Sequence, residues 1–269
     1  MEVLCSLVAQ TFLGSQSGQQ VEKDHWKMID IHTHILPNID DGADSLEEAY
    51  EMALMAVRSG VEALVATPHS NQGIMDHERR KQEQAFLDLE QVLLREKVPL
   101  KLYRGMEIWS SIDMVEKIQS GKLITLNQTP YVLIEFAFDE EPWWIEAIID
   151  ELQGAGFVPI LAHPERYFCV QEDPGLLSEW RMQGAQAQMN KGSILGRFGR
   201  EIERTAEILL KNRLFTCIAS DAHHAYIRTT DMKELEYYLQ RHYSLTEQER
   251  LLKQNPLSIL RGMPIKNER

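Results

Sequence analysis

Five histidines and four carboxylates carry most of the chemistry this chain could do: His32, His34, Asp41, His69, Glu107, Glu135, His163, Asp221 and His223. Neutral imidazole nitrogens and carboxylate oxygens are ligands for divalent ions such as zinc, manganese and iron, and no thiolate accompanies them. His32 and His34 lie two residues apart, as do Asp221 and His223. On an extended strand that spacing turns both side chains to one side, so each pair can reach a single ion. A lone histidine of this kind is more often a hydrogen-bonded structural residue. The set as a whole is harder to explain that way, because a barrel rim has little structural use for so many imidazoles.

The elements that must position these residues can be read from hydropathy. Short runs rich in Val, Ile and Leu alternate with longer segments of helical period, the pattern of βα units with a parallel sheet. Strands are predicted at Met28–Ile31, Ala63–Ala66, Leu100–Arg104, Tyr131–Glu135, Val158–Ala162, Ala185–Met189 and Leu214–Ala219. The first helix is announced by Ser45 and Glu48 as a capping box, by Ala49, Met52, Ala53, Ala56 and Val57 at helical spacing, and by Gly60 after its end. Further helices are expected at Met75–Glu96, Ile112–Gln119, Trp143–Gln153, Leu176–Gln183, Arg200–Asn212, Asp231–Arg241 and Thr246–Lys253. The candidate ligands fall after six of the seven strands, and in a parallel barrel those ends converge on the face where active sites are built. His25, His77, His224 and His242 lack that placement and are expected at the surface.

Composition sets the outer bounds. A chain of 269 residues with 43% hydrophobic and 26% charged residues is an ordinary globular protein, and one α/β barrel fills that length. No apolar run approaches the roughly 20 residues needed to span a bilayer, so no membrane insertion is expected. The net charge of −13 argues against general nucleic-acid binding, which needs a basic face. Cys5, Cys169 and Cys217 follow no zinc or disulfide spacing and suit a reducing, cytoplasmic setting. Residues 1–27 are read as a disordered extension: the stretch is only mildly apolar, carries Glu2, and lacks a basic start or a small-residue cleavage site. Residues 28–269 are expected to form one barrel domain.

Met28-Ile-Asp-Ile-His-Thr-His-Ile-Leu-Pro, Asp40-Asp41-Gly42, Ala66-Thr-Pro-His69, Gly105-Met-Glu107, Ala162-His-Pro-Glu-Arg166 and Ser220-Asp-Ala-His223 together resemble the polymerase and histidinol phosphatase (PHP) superfamily. More narrowly, the chain resembles that superfamily's bacterial protein-tyrosine phosphatases of capsular and extracellular polysaccharide systems, from Met28 to about Leu260. The resemblance implies a distorted (β/α)7 barrel of the PHP type and three divalent ions, manganese first, with iron, zinc, cobalt and magnesium as alternatives. It assigns His32, His34, Glu107 and Asp221 to one ion. Glu107 would bridge to a second, shared with Glu135 and His163, and Asp41, His69 and His223 would hold a third. The histidinol phosphatase branch usually has histidine at the Asp41 position, so Asp40-Asp41-Gly42 favours the tyrosine phosphatase branch. The stretch before Met28 and Lys191 both depart from the pattern.

The chemistry such a site must supply is hydrolysis of a phosphate monoester, extremely slow without catalysis. Adjacent ions lower the pKa of bound water and clamp the phosphoryl oxygens, so direct attack by a metal-bridging hydroxide is expected, with no phosphoenzyme. Arg166 and, as the resemblance implies, Arg228 are expected to grip the phosphate, because a guanidinium fork matches its oxygens. For each, a surface ion pair is the competing role. His69 or a metal would assist the leaving group. A thiol mechanism is excluded: it needs arginine six residues after the cysteine, and that position holds Thr11, Gly175 or His223.

The implied substrate is phosphotyrosine on protein, specifically the tyrosine-rich tail of a polysaccharide-assembly kinase that would recruit the enzyme to the inner face of the membrane. A small-molecule phosphatase acting on histidinol phosphate and a non-catalytic metal-dependent phosphoprotein-binding module are the rivals. Trp143 and Trp144 could line a substrate entrance or pack a helix. Asn190-Lys191-Gly192-Ser193 could touch substrate or form a plain turn. Asp139-Glu140-Glu141 is read as a solvated loop.

Overall fold

The computed structural model describes residues 27–70 and 76–265. Apart from Lys27, the expected N-terminal extension lies outside the described residues, as does Met75. Strand β1 (Met28–Thr33) is followed by helix α1 (Leu46–Arg58), β2 (Val61–Ala66), α2 (Asp76–Arg95), β3 (Lys101–Arg104) and β4 (Glu107–Trp109). Then come α3 (Met114–Gln119), β5 (Tyr131–Glu135), α4 (Pro142–Gly154), β6 (Val158–Ala162), α5 (Phe168–Glu172), α6 (Gly175–Gln183), β7 (Gln186–Asn190) and α7 (Lys191–Ile194). The chain ends through α8 (Arg200–Lys211), β8 (Cys217–Ala219), α9 (Lys233–His242), α10 (Leu245–Glu249), a π-helical turn at Arg250–Gln254, and α11 (Asn255–Leu260).

All pairings among these strands are parallel, in the orders β1-β2-β3 and β4-β5-β6-β7-β8. Two isolated bridges, Thr33 to Ala222 and His69 to Glu107, join the sheets into a distorted barrel. Both lie at the C-terminal mouth, so the ligand-bearing segments themselves close the ring.

The expected third strand, Leu100–Arg104, is β3, whereas β4 (Glu107–Trp109) is not among the expected strands. Chain from Lys101 to Trp109 pairs first with β2 and then with β5, breaking at Gly105-Met106. A Cβ on Gly105 would sit 2.8 Å from side-chain carbons of Val65 and Leu126, so only glycine lets the strand cross its neighbour this closely. Hydropathy registers β3 but not the three-residue β4 that follows the break.

Period-two alternation sorts the strand residues into two layers. Ile29, Ile31, Ala63, Val65, Leu133, Ile160, Ala162, Cys217 and Ala219 fill the interior. Leu64, Val132, Ile134, Leu161, Met189 and Ile218 face the helices. In α1, Ala49, Met52, Ala53 and Ala56 are buried, and full burial of one methionine contributes about 1.5–3 kcal/mol. Ser45 Oγ accepts from Glu48 N at 3.1 Å, as a capping residue should. The Glu48 carboxylate does not reach back to Ser45; it accepts from Asp44 N and Ala225 N and meets His224 Nδ1 at 3.2 Å. His224 is therefore a half-buried tether between α1 and the loop after β8, not the surface residue expected. At the opposite end of the barrel, Ile259 and Leu260 of α11 enter the interior cluster. No helix among the described residues is long and apolar enough to cross a membrane.

Candidate metal centre

β1 delivers its two histidines through an irregularity. Its register with β2 slips between Asp30 and Thr33, and buried Asp30 pins the segment by accepting from Ser220 N at 3.0 Å. The His32 and His34 rings then stand 5.3 Å apart, with their Nε2 atoms 3.2 Å from each other.

The outer nitrogens of these rings are held by oxygen. His32 Nδ1 meets Gln188 Oε1 at 2.9 Å, His34 Nδ1 meets Asp40 Oδ2 at 2.7 Å, and His223 Nδ1 meets the Asp221 carbonyl at 3.0 Å. An oxygen acceptor at Nδ1 assigns the proton there and leaves Nε2 with a lone pair, the arrangement that orients an imidazole toward a metal. Those Nε2 atoms point at carboxylates. His32 Nε2 and His34 Nε2 each lie 3.5 Å from Asp221 Oδ1, and His223 Nε2 lies 3.5 Å from Asp41 Oδ1.

Glu107 is the hub. Its Oε2 has His32 Nε2 at 3.2 Å, His34 Nε2 at 3.3 Å and His69 Nδ1 at 3.0 Å, yet is buried without a well-formed hydrogen bond to any of them. Its Oε1 meets His163 Nε2 at 3.1 Å, and Glu135 lies 3.7 Å beyond that nitrogen. Lone pairs converging on lone pairs are costly unless cations or protons lie between them. The donor set therefore fits divalent ions. At the mouth, three groups have ligand atoms within 4.8 Å of one another: His32, His34 and Asp221; His69, Glu107 and Glu135; and His34, Asp41, His69 and His223. These groups hold eight of the nine residues singled out by sequence, and His163 joins them through Glu107 and Glu135. Asp41 is the most exposed, its side chain 66% accessible.

Without a metal, protons take up the strain. Burial lowers the His32 pKa, but Glu107 and Asp221 outweigh it and raise it to about 9. Burial and the neighbouring Glu107 charge raise Glu135 to about 7. Burial and the His34 charge push His223 down to about 3. Asp40 is lowered to about 2 because the His34 hydrogen bond outweighs burial. Groups on one rim driven this far apart mark a functional site.

Both expected arginines reach the cluster. Arg228 donates from Nη2 to Asp221 Oδ2 at 2.5 Å, and Arg166 Nη1 is 3.9 Å from the same oxygen. Neither is a surface ion pair: their side chains are 31% and 17% accessible. Three residues here have left-handed backbone, His163 at φ 36°, Asp221 at 49° and Arg228 at 47°. Such strain in non-glycine residues collects at functional sites.

Asn190 and Lys191 do not form a plain turn: Asn190 precedes and Lys191 begins the short helix α7, and both side chains hold neighbouring groups. Asn190 Oδ1 caps α7 through Gly192 N while Nδ2 donates to Asp221 Oδ2. Buried Lys191 donates from Nζ to the carbonyls of Thr229 and Asp231, clamping the loop that carries Arg228. Trp144 packs against the helical layer and its Nε1 donates to Ser110 Oγ, whereas Trp143 is exposed beside it. Of the acidic run, Asp139 and Glu141 are exposed. Sequence reasoning missed Asp40 and Gln188 as the partners that orient His34 and His32. Asp40 could have been found from its place in the Asp-Asp-Gly motif, since two adjacent carboxylates on a strand-end loop face different ways; Gln188 carries no such signal.

Residues 28–261 match the family model described as capsular polysaccharide synthesis, CpsB/CapC. The chain is 38% identical over 234 residues to the tyrosine-protein phosphatase YwqE of Bacillus subtilis, covering 85% of this chain and 92% of the relative. It is 28% identical to the tyrosine-protein phosphatase CpsB of Streptococcus pneumoniae, covering 87% and 98%. Among solved structures it superposes with TM-score 0.81 and 35% identity on one from the work on YwqE and CpsB, metal-dependent tyrosine phosphatases, covering 89% and 96%. A phosphotriesterase homology protein from Escherichia coli matches with TM-score 0.54 at 10% identity, covering 87% and 98%, a likeness of barrel fold alone.

Proposed function

This chain belongs to the CpsB/CapC family of capsular polysaccharide synthesis proteins, and from that premise we propose that it hydrolyses phosphotyrosine on proteins, using divalent ions held at the barrel mouth. The carrying observation is the convergence on Glu107 Oε2 of imidazoles whose far nitrogens are held by Gln188 and Asp40. His32, His34, Asp41, His69, Glu107, Glu135, His163, Asp221 and His223 would hold the ions, three in number, with manganese the expected metal. When bound, the ions would supply a nucleophilic water at neutral pH and neutralise charge on the phosphoryl group.

The chain's own side chains do the remaining work. Arg166 and Arg228 stand on one side of the cluster and are assigned the phosphoryl oxygens, their charge opposing the repulsion between a dianionic ester and the carboxylates. Asn190 and Arg228 share Asp221 Oδ2, which leaves Oδ1 turned to His32 and His34. His69, 27% accessible at the rim, or a bound ion would assist the departing phenolic oxygen, His69 only through a nitrogen that holds no ion. The family's place in capsule synthesis supports a tyrosine-rich kinase tail as substrate, met at the inner face of the membrane.

The test is phosphate release from a phosphotyrosine peptide and from histidinol phosphate, each with manganese and after EDTA. Chelator-sensitive release from the peptide is expected. Release from histidinol phosphate alone would replace the reading with a small-molecule phosphatase, and release from neither would overturn hydrolysis itself.

A further inference from the structure

Arg166 is held in an unusual way for a partly buried guanidinium. Its Cζ lies 4.3 Å from the ring centroid of Phe138 and 4.7 Å from that of Phe198, and its Nε is buried without a partner. The nearest carboxylate oxygen, Asp221 Oδ2 at 3.9 Å, is already taken by Arg228 and Asn190 at 2.5 Å each. Two phenyl faces, with only one long ion pair to Asp221 beside them, therefore define where Arg166 points.

Both rings are seated with care. Gly192 admits Phe198: a Cβ there would lie 2.7 Å from the phenyl ring. Phe138 also meets the His163 ring edge-on at 6.1 Å, so one side chain braces both a candidate ligand and the arginine. We propose that Phe138 and Phe198 are positioning residues that clamp the Arg166 guanidinium flat and un-neutralised, ready for a phosphoryl group. This rests on the reading of Arg166 as a phosphate grip.

The physical logic favours rings over a carboxylate. A carboxylate partner would fix Arg166 equally well but would compete with phosphate for the same N–H donors. An aromatic face attracts the cation through its quadrupole and leaves the in-plane N–H groups free. Each face should matter modestly, about three- to fivefold in phosphate affinity at a partly exposed site.

The experiment compares Phe198→Leu, Phe198→Tyr and Arg166→Ala in the full chain loaded with manganese. It reads kcat and KM on a phosphotyrosine peptide, the inhibition constant of inorganic phosphate, and metal content. Phe198 is only partly buried, so these variants are expected to fold. Phe198→Leu should raise KM and the phosphate inhibition constant together about three- to fivefold, with kcat within about twofold and metal content unchanged. Phe198→Tyr, which keeps a π face, should restore both constants. Wild-type constants in Phe198→Leu alongside a large rise in Arg166→Ala would overturn the clamp while leaving the arginine's role intact. Unchanged constants in Arg166→Ala would overturn both, and loss of metal in Phe198→Leu would make the ring a scaffold for the metal centre instead.

Discussion

At the mouth of the barrel, five imidazoles and four carboxylates, Glu107 among them, form one cluster, and three residues there hold left-handed backbone. At the opposite end, Ile259 and Leu260 are packed against Tyr131 and Leu126 in the interior cluster. Asn255 Nδ2 donates to the Thr216 carbonyl, Asn127 Nδ2 to Leu260 and Tyr131 Oη to Met263, so the polar groups that seal this end have partners. Asn127 and Gln128 also have positive φ, but in a turn where Asn tolerates it. The difference teaches a division of labour: the sealed end supplies stability, and the mouth spends some of it to keep ligands pointed at one another.

The sharpest way to break this comparison is to mutate each end and read the other. His163→Ala and His223→Ala should lower kcat/KM on a phosphotyrosine peptide by roughly 10²- to 10³-fold or more, with cooperative thermal unfolding retained. Retained activity in either would contradict the site. Ile259→Ala should do the reverse. Urea titration should show a loss of about 2–5 kcal/mol, while activity per folded molecule stays at wild type; a matching loss of kcat would show that the two ends are coupled.

Smaller changes sharpen the picture of the mouth. Asp40→Asn keeps the shape but removes the charge that holds the His34 Nδ1 proton, so metal affinity measured by competition with a chelator should fall about 10- to 100-fold. Unchanged affinity would reduce Asp40 to a loop residue.

A more gradual effect is a slope with pH. Glu135, raised to about 7, and His32, raised to about 9, are both protonated in the metal-free site below those values. Raised pKa values stabilise the metal-free fold fully below the unfolded pKa, and that contribution fades as pH climbs through about 7 and about 9. A metal must displace both protons, so its affinity should rise across that window, by up to about tenfold per pH unit for each proton displaced. A flat profile would mean these protons are absent.

Much of this mouth was legible beforehand because ligand chemistry is local. His32 and His34 announce themselves by spacing, and the carboxylates by following apolar runs. What escaped was long-range. Gln188 and Asn190 look like ordinary polar strand residues until the barrel turns them toward His32 of β1 and Asp221 after β8. The break at Gly105 depends on Val65 and Leu126, residues from two other parts of the chain. Phe138 and Phe198 lie sixty residues apart and meet only across Arg166. His224 was misread because its partner, Glu48, is on the first helix.

The central claim, that the nine-residue mouth is a polynuclear metal centre, is tested most directly by metal content. Protein purified without chelator and reconstituted with manganese would be measured by elemental analysis alongside its phosphotyrosine hydrolysis, then stripped in steps. About three ions per chain are expected, as a site with three overlapping ligand groups should hold, and activity should fall as they leave. Full activity with no bound ion would contradict the claim.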